Sequence, residues 1–163
     1  MNAPRARAVL IAVGFALALA LADQGTKHVI GSVLAPGEVR SVTGFLNLVL
    51  VFNRGAAFSF LSQASGWQRE FFIGLALVAT AVIIVLLWRN PQARLFSAGL
   101  SLIMGGAIGN LWDRIALGHV VDFLDFHAFG YHWPAFNLAD SAITAGAALL
   151  LLDAFRERKP PAS

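Results

Sequence analysis

Two aspartates carry the chemistry this chain is best placed to perform. Asp122 stands in Gly118-His119-Val120-Val121-Asp122-Phe123, and Asp140 in Phe136-Asn137-Leu138-Ala139-Asp140, eighteen residues further on. Two carboxyl groups brought close together do not readily share two negative charges, so one keeps a proton while its partner ionises. The pair then supplies an acid and a base together and can activate water directly against a peptide carbonyl. Each residue also has a plainer reading. Asp140 fits an N-terminal helix cap or first-turn acid, favoured by unpaired amides and the helix dipole; Asp122 fits a loop acid at the level of lipid headgroups. Asp125, between Leu124 and Phe126, competes for a place in the dyad.

Further polar residues gather around these two. Asp23 and Lys27 are four apart, on one helical face, where an acid and a base can pair. Asn110-Leu111-Trp112-Asp113-Arg114 offers either an Asp113–Arg114 ion pair or an arginine free to engage a substrate carbonyl or lipid phosphate. Asn53-Arg54-Gly55 reads equally as a turn and as an amide that holds an extended peptide backbone. His119, His127 and His132 raise a metal site with Asp122 and Asp125, but no HExxH string or helical i,i+4 histidine pair is present. Ser141 lacks a GxSxG elbow and has no base besides its acidic neighbour, which leaves a serine nucleophile without support. No metal and no cofactor is therefore expected.

These residues need elements to hold them, and the elements belong to a membrane protein. The stretches 71–88 and 95–112 are each eighteen residues without a charge; at about 1.5 Å per residue, each crosses most of a hydrocarbon core roughly 30 Å thick. With 58% hydrophobic and only 13% charged residues, the chain has too little polar surface for a soluble domain of this size. The patterning predicts one domain with four transmembrane helices, at about 8–28, 69–88, 95–114 and 136–155. Arg5 and Arg7 before an apolar run ending in Ala20-Leu21-Ala22 mimic a cleaved signal, but a helix continuing through Asp23 and Lys27 is the preferred reading. Between the first two helices, segment 31–65 carries a Pro36-Gly37 turn and the strand-like run 45–52, so a small extracytoplasmic β-rich cradle is expected there. Open strand edges are not tolerated among lipid tails, which puts that sheet above the hydrocarbon or under protein cover. The region 116–133 is read as polar, aromatic and glycine-bearing.

Four crossings put both termini on one side. Arg5, Arg7, Arg89, Arg94, Arg156, Arg158 and Lys159 fall there, and short-loop positive charge marks the cytoplasmic face. Lys27, Arg40, Arg54, Arg69 and Arg114 fall on the other side, together with both aspartates. The net charge of +3 is scattered rather than gathered in a stripe, so nucleic acid is not an expected partner. The chain has no cysteine, which removes disulfides, thiolate metal sites and a cysteine nucleophile.

The strings Asp23-Gln24-Gly25-Thr26-Lys27, Asn53-Arg54-Gly55-Ala56-Ala57-Phe58-Ser59, residues 105–114 (Gly105 to Arg114), Gly118 to Phe123 and Phe136 to Ser141 occur in one order. Together they resemble signal peptidase II, the lipoprotein signal peptidase family. The resemblance implies an intramembrane aspartic endopeptidase with Asp122 and Asp140 as its catalytic pair. It implies cleavage of prolipoproteins on the N-terminal side of a cysteine already carrying diacylglycerol, in the bacterial inner membrane, near its extracytoplasmic face. Asp23, Lys27, Asn53, Gly55, Asn110, Arg114 and Asn137 are then expected to support the pair or hold substrate, and Asp125 has no catalytic counterpart. Membrane lipids are the remaining partner, and a monomer is expected. A small transporter would use the same acids for ions, but the sequence shows no convincing internal repeat; a purely structural role leaves the polar strings unexplained.

Overall fold

The computed structural model describes residues 3–55 and 67–157. Among these, four helices are long and apolar enough to cross a membrane: α1 (Ala3–Val33), α2 (Gln68–Arg89), α3 (Arg94–Ala116) and α4 (Leu138–Glu157). Helix α1 runs well past the expected residues 8–28 at both ends. In its polar last turns Thr26 and Ser32 return their hydroxyls to the Asp23 and Val29 carbonyls, each at 2.7 Å. Pro36, which cannot donate a backbone hydrogen bond, lies just beyond.

Helix α3 is the hub of the bundle. In its most apolar stretch 44% of residues are buried inside the protein, against 11% in α2, which presents most of its surface to lipid. Lipid tails are as apolar as leucine, so burial of apolar surface discriminates little between helix partners and close approach of backbones decides. The glycines of α3 provide it. A Cβ on Gly99 would stand 2.9 Å from the Gly146 carbonyl oxygen of α4, and one on Gly105 would stand 2.8 Å from the Ala16 carbonyl oxygen of α1. Ala12, Ala16, Ile83, Leu87, Leu100 and Met104 form the apolar cluster where α1, α2 and α3 meet. The start of α1, the turn between α2 and α3, and the end of α4 share one end of the bundle, with Arg7 beside Pro91 and Arg94 and Leu150 against Gly99.

Four strands, β1 (Val39–Thr43), β2 (Leu46–Asn53), β3 (Val120–Ala128) and β4 (Tyr131–His132), pair antiparallel in that order at the opposite end. The segment 31–65 thus supplies β1 and β2, while residues 56–65 of the expected cradle lie outside the described residues. Strand β3 was not expected from the sequence. Its run Val-Val-Asp-Phe-Leu-Asp-Phe-His-Ala has two acids on an otherwise apolar strand, which breaks the alternation that reveals a half-buried strand. Leu50, Val121 and Phe123 pack one face of the sheet against Ile30 and Leu34.

The turn after β3 is tight, with Phe129 at φ 51° and Gly130 at φ 81°, the two positive angles of a type I′ hairpin. The chain then runs back beside β3. Phe136 accepts from the amides of Phe123 and Leu124 at 3.0 and 2.8 Å and donates to the Leu124 carbonyl at 3.1 Å. That bridge delivers Asn137 and the first turn of α4 to the side of Asp122.

Candidate active site

Asp122 lies on β3, opposite Val51 in the sheet register, and Asp140 lies in the first turn of α4. Consecutive antiparallel helices were expected to bring them together; the strand and its return bridge do so instead. Asn137 spans the pair. Its Nδ2 donates to Asp122 Oδ1 at 2.7 Å, and its backbone and side chain form a reciprocal cap with Asp140. Asn137 Oδ1 accepts from the Asp140 amide at 2.9 Å, while Asp140 Oδ2 accepts from the Asn137 amide at 3.3 Å. The arrangement is a capping box with Asn and Asp in the two roles. The plain reading of Asp140 as a helix-start acid is therefore met by one of its oxygens. The other, Oδ1, accepts from Asn110 Nδ2 at 2.8 Å.

Asp122 is 1% exposed, and burial is the largest reason its carboxyl is pushed up to about 7. The negative charge of Asp140 acts in the same direction, while hydrogen bonds from Asn53 and Asn137 and the charge of Lys27 oppose it. Asn53 Nδ2 donates to Asp122 Oδ2 at 3.0 Å, and its Oδ1 accepts from the Gly55 amide at 2.8 Å. Asn53 is thus both turn residue and carboxylate donor. Gly55 has φ 104°, and a Cβ there would fall 2.7 Å from Phe72 Cε2, so the turn depends on glycine for its angle and for its space.

Asp125 faces the other way. Three residues from Asp122 along an extended strand, it points to the opposite side of the sheet, where Asn47 Nδ2 reaches it at 2.9 Å and His132 Nδ1 at 2.9 Å. Burial acts to raise its carboxyl, but these hydrogen bonds outweigh burial and leave it below the usual carboxylate range. The competitor for the dyad is an anchor for the β3–β4 hairpin. The other histidines make ring contacts: His119 packs tilted against Phe52, centroids 4.5 Å apart, and His127 stacks on His132 at 5.1 Å. Among the described residues no three His, Asp or Glu side chains converge on a metal position. Ser141 Oγ donates to the Asn137 carbonyl at 2.9 Å, a bond internal to the start of α4.

Behind the pair lies a second polar layer. Asp23 Oδ1 accepts from the Ala139 amide of α4 at 2.9 Å, and Lys27 Nζ meets Asp23 Oδ2 at 2.7 Å, Asp113 Oδ2 at 2.8 Å and Asn110 Oδ1 at 3.1 Å. Asp113 also accepts from the Val121 amide at 3.1 Å and from Gln24 Nε2 at 2.8 Å. The sequence left Arg114 either paired with Asp113 or free to engage substrate; the structure gives the place beside Asp113 to Lys27. Successive residues on a helix diverge by about 100°, so Asp113 and Arg114 cannot share one face. Arg114 instead lies over the Phe72 ring, 4.7 Å from its centroid, and donates Nη1 to the Asn110 carbonyl at 3.2 Å. Gln24 and Phe72 were not singled out from the sequence. Neither a glutamine beside an acid nor a phenylalanine at a helix start has a spacing that distinguishes it.

Two of the cavities beside the sheet bear on the site. One of about 230 Å³ is lined by Val51, Asn53, Asp122, Pro134 and Ala135 and opens on the dyad. Another of about 460 Å³ lies on the face of Leu50 and Val121, with Lys27 and Asp113 on its wall.

A bundle of membrane-crossing helices that holds two acids across one asparagine, beside a groove in a small sheet, has the form of an aspartic peptidase set in a bilayer. The chain belongs to the signal peptidase II family: the family model described as signal peptidase (SPase) II matches residues 15–156. It is 57% identical over 147 residues to a lipoprotein signal peptidase of Cupriavidus necator, covering 90% of this chain and 84% of that protein. To a lipoprotein signal peptidase of Burkholderia vietnamiensis it is 54% identical over 156 residues, covering 96% and 94%. Two solved bacterial membrane enzymes share the fold. One has a TM-score of 0.80 at 29% identity over 94% of both chains, the other 0.76 at 31% over 87% of this chain and 90% of its own. As a member of the family, this chain is an aspartic endopeptidase of the bacterial inner membrane that crosses it several times and removes signal peptides from prolipoproteins.

Proposed function

We propose that Asp122 and Asp140 are the catalytic pair and that the substrate is the prolipoprotein whose cysteine already carries diacylglycerol. The observation that carries the reading is the double engagement of Asn137, which ties its side chain to Asp122 and both its side chain and its amide to Asp140. Asp140 takes the role of base. Its carboxylate lies against the first amides of α4, where the helix dipole favours negative charge, and Asn110 supplies a donor to its other oxygen. Asp122, with its carboxyl raised to about 7, keeps the proton.

Ionised Asp140 takes a proton from water as the water oxygen bonds to the scissile carbonyl carbon, and the Asp122 proton passes to the carbonyl oxygen. The tetrahedral intermediate collapses when the carbon–nitrogen bond breaks. The proton on Asp140 goes to the leaving amine of the cysteine, and a hydroxyl proton of the intermediate returns to Asp122, so both acids regain their starting states. Among the described residues only Nη1 of Arg114 is engaged, which leaves its remaining N–H groups to bind a substrate carbonyl. Asn53 holds Asp122 at the mouth of the groove. The acyl chains stay in lipid while the peptide enters, and every residue named in this scheme belongs to one chain, so a monomer suffices for the chemistry.

Detergent-purified enzyme is expected to cleave the diacylglyceryl-modified precursor and not the unmodified one, with EDTA present. Asp122→Asn and Asp140→Asn are expected to abolish turnover while leaving the protein inserted and folded. Near-normal cleavage by either variant would sink the dyad, and equal cleavage of both precursors would sink the lipid requirement.

A further inference from the structure

Lys27 is a cation only 5% exposed on a membrane-crossing helix, and its three ammonium protons meet three acceptors, Asp23, Asp113 and Asn110. It has no proton left for a substrate. An ammonium has no lone pair, so the atom of the Asn110 amide that faces it must be the oxygen. Asn137 Nδ2 imposes the same demand on that oxygen from 3.2 Å. With two donors on Oδ1, the Asn110 NH2 group turns to Asp140 and donates to its carboxylate at 2.8 Å. Half a turn of the amide would set donor against donor at Lys27 and acceptor against acceptor at Asp140.

We infer that Lys27 is a positioning residue for the peptidase reaction, acting through the Asn110 amide to present a hydrogen-bond donor, and not an acceptor, to Asp140. The inference rests on the catalytic reading of Asp140 above. The two acids that hold Lys27 reach the same region by other routes. Asp23 receives the Ala139 amide next to Asp140, and Asp113 receives the Val121 amide next to Asp122. Lys27 therefore sits where the ends of both acid-bearing elements converge. Its charge also bears on Asp122, whose carboxyl it helps to lower.

A purely structural Lys27 would do no more than neutralise two buried acids, and a charge-matched exchange separates the two roles. Lys27→Met combined with Asp113→Asn removes one cation and one acid, keeps the net charge of the cluster, and takes away the ammonium, one of the two donors to Asn110 Oδ1, leaving the weaker constraint of Asn137 Nδ2. The folded double variant is expected to lose about 10- to 100-fold in kcat, the scale of a misplaced catalytic group, with KM close to that of the parent. Introduced into Asn110→Ala, the same pair is expected to add no further loss, because it acts through the missing amide. Unchanged kcat in the folded double variant, or losses that multiply in the Asn110→Ala background, would overturn the inference.

Asn110→Asp provides a check that leaves Lys27 in place. It keeps an acceptor for the ammonium but has no NH2 for Asp140, so kcat is expected to fall, and cleavage at the parent rate would overturn the inference equally. Asp140→Asn assayed alongside separates the two failures. If it is inactive while the Lys27 and Asn110 variants are normal, only the positioning role fails; if it cleaves normally, the dyad reading fails first.

Discussion

Asp122 keeps its proton because burial on strand β3 penalises its charged form, and the hydrogen bond from Asn53 is the largest effect opposing that burial. The pH behaviour follows. Rising pH removes the Asp122 proton, so kcat/KM is expected to decline through an alkaline limb near 7. Asn53→Ala removes a donor that favours the carboxylate, so the limb is expected to move to higher pH; a limb that stays put or moves lower would show that another group sets it. Stability has a matching sign. The folded protein holds this proton up to about 7, whereas the unfolded chain releases it near the ordinary 3.8. Between those values the folded state binds more protons, so the Asp122 contribution to stability is fully present below the lower value and is lost as pH rises through the upper one.

Helix α3 positions Asn110 only because its neighbours can approach so closely. A Cβ on Gly109 would stand 2.7 Å from Asp23 Oδ2, and one on Gly106 would press into the Ala139 carbonyl, within the first turn of α4. Gly106→Val therefore drives α4 outward and carries Asp140 with it. It is expected to cost about 1–3 kcal/mol of stability, the usual penalty for overpacking, and to depress cleavage further than that loss alone explains. Gly14 in α1 has nothing within 4 Å of a Cβ, so Gly14→Ala is expected to leave cleavage unchanged and to raise helix stability slightly. Thermal unfolding in detergent, read beside cleavage, checks both. Equal behaviour of the two variants would show that the close crossing of α3 and α4 does not set the site.

The whole molecule is polarised along the membrane normal. Arg5, Arg7, Arg89, Arg94 and Arg156 mark one end of the bundle, and the sheet, the dyad and exposed Phe129, Tyr131 and Trp133 occupy the other. The rule that short cytoplasmic loops carry positive charge puts the arginine end inside, with aromatic rings suited to the opposite interface. The chain has no cysteine of its own, so single introduced thiols report orientation cleanly. Ser41→Cys in β1 is expected to react with a membrane-impermeant maleimide on intact spheroplasts, and Gln92→Cys in the α2–α3 turn only after permeabilisation. The reverse labelling would invert the topology.

Much of this was legible in the chain itself. Uncharged eighteen-residue runs have one physical solution in a bilayer, the helix that satisfies its own backbone, and acids beside such runs are costly enough to point to chemistry. The Asp23–Lys27 pair was readable because four residues in a helix return to one face. Other features are relations between distant segments that no local pattern encodes. Strand β3 exists because β2, some seventy residues earlier, offers it hydrogen bonds, and that strand turns Asp122 toward Asn137 while turning Asp125 toward Asn47 and His132. Asp113 chose Lys27 over its own neighbour Arg114 because the crossing of α1 and α3 brings the ammonium to within 2.8 Å. The sequence by itself determined the solvent, the number of apolar crossings and the residues worth watching; the tertiary structure alone decided which polar group faces which, because hydrogen bonds are set by distance and direction in space.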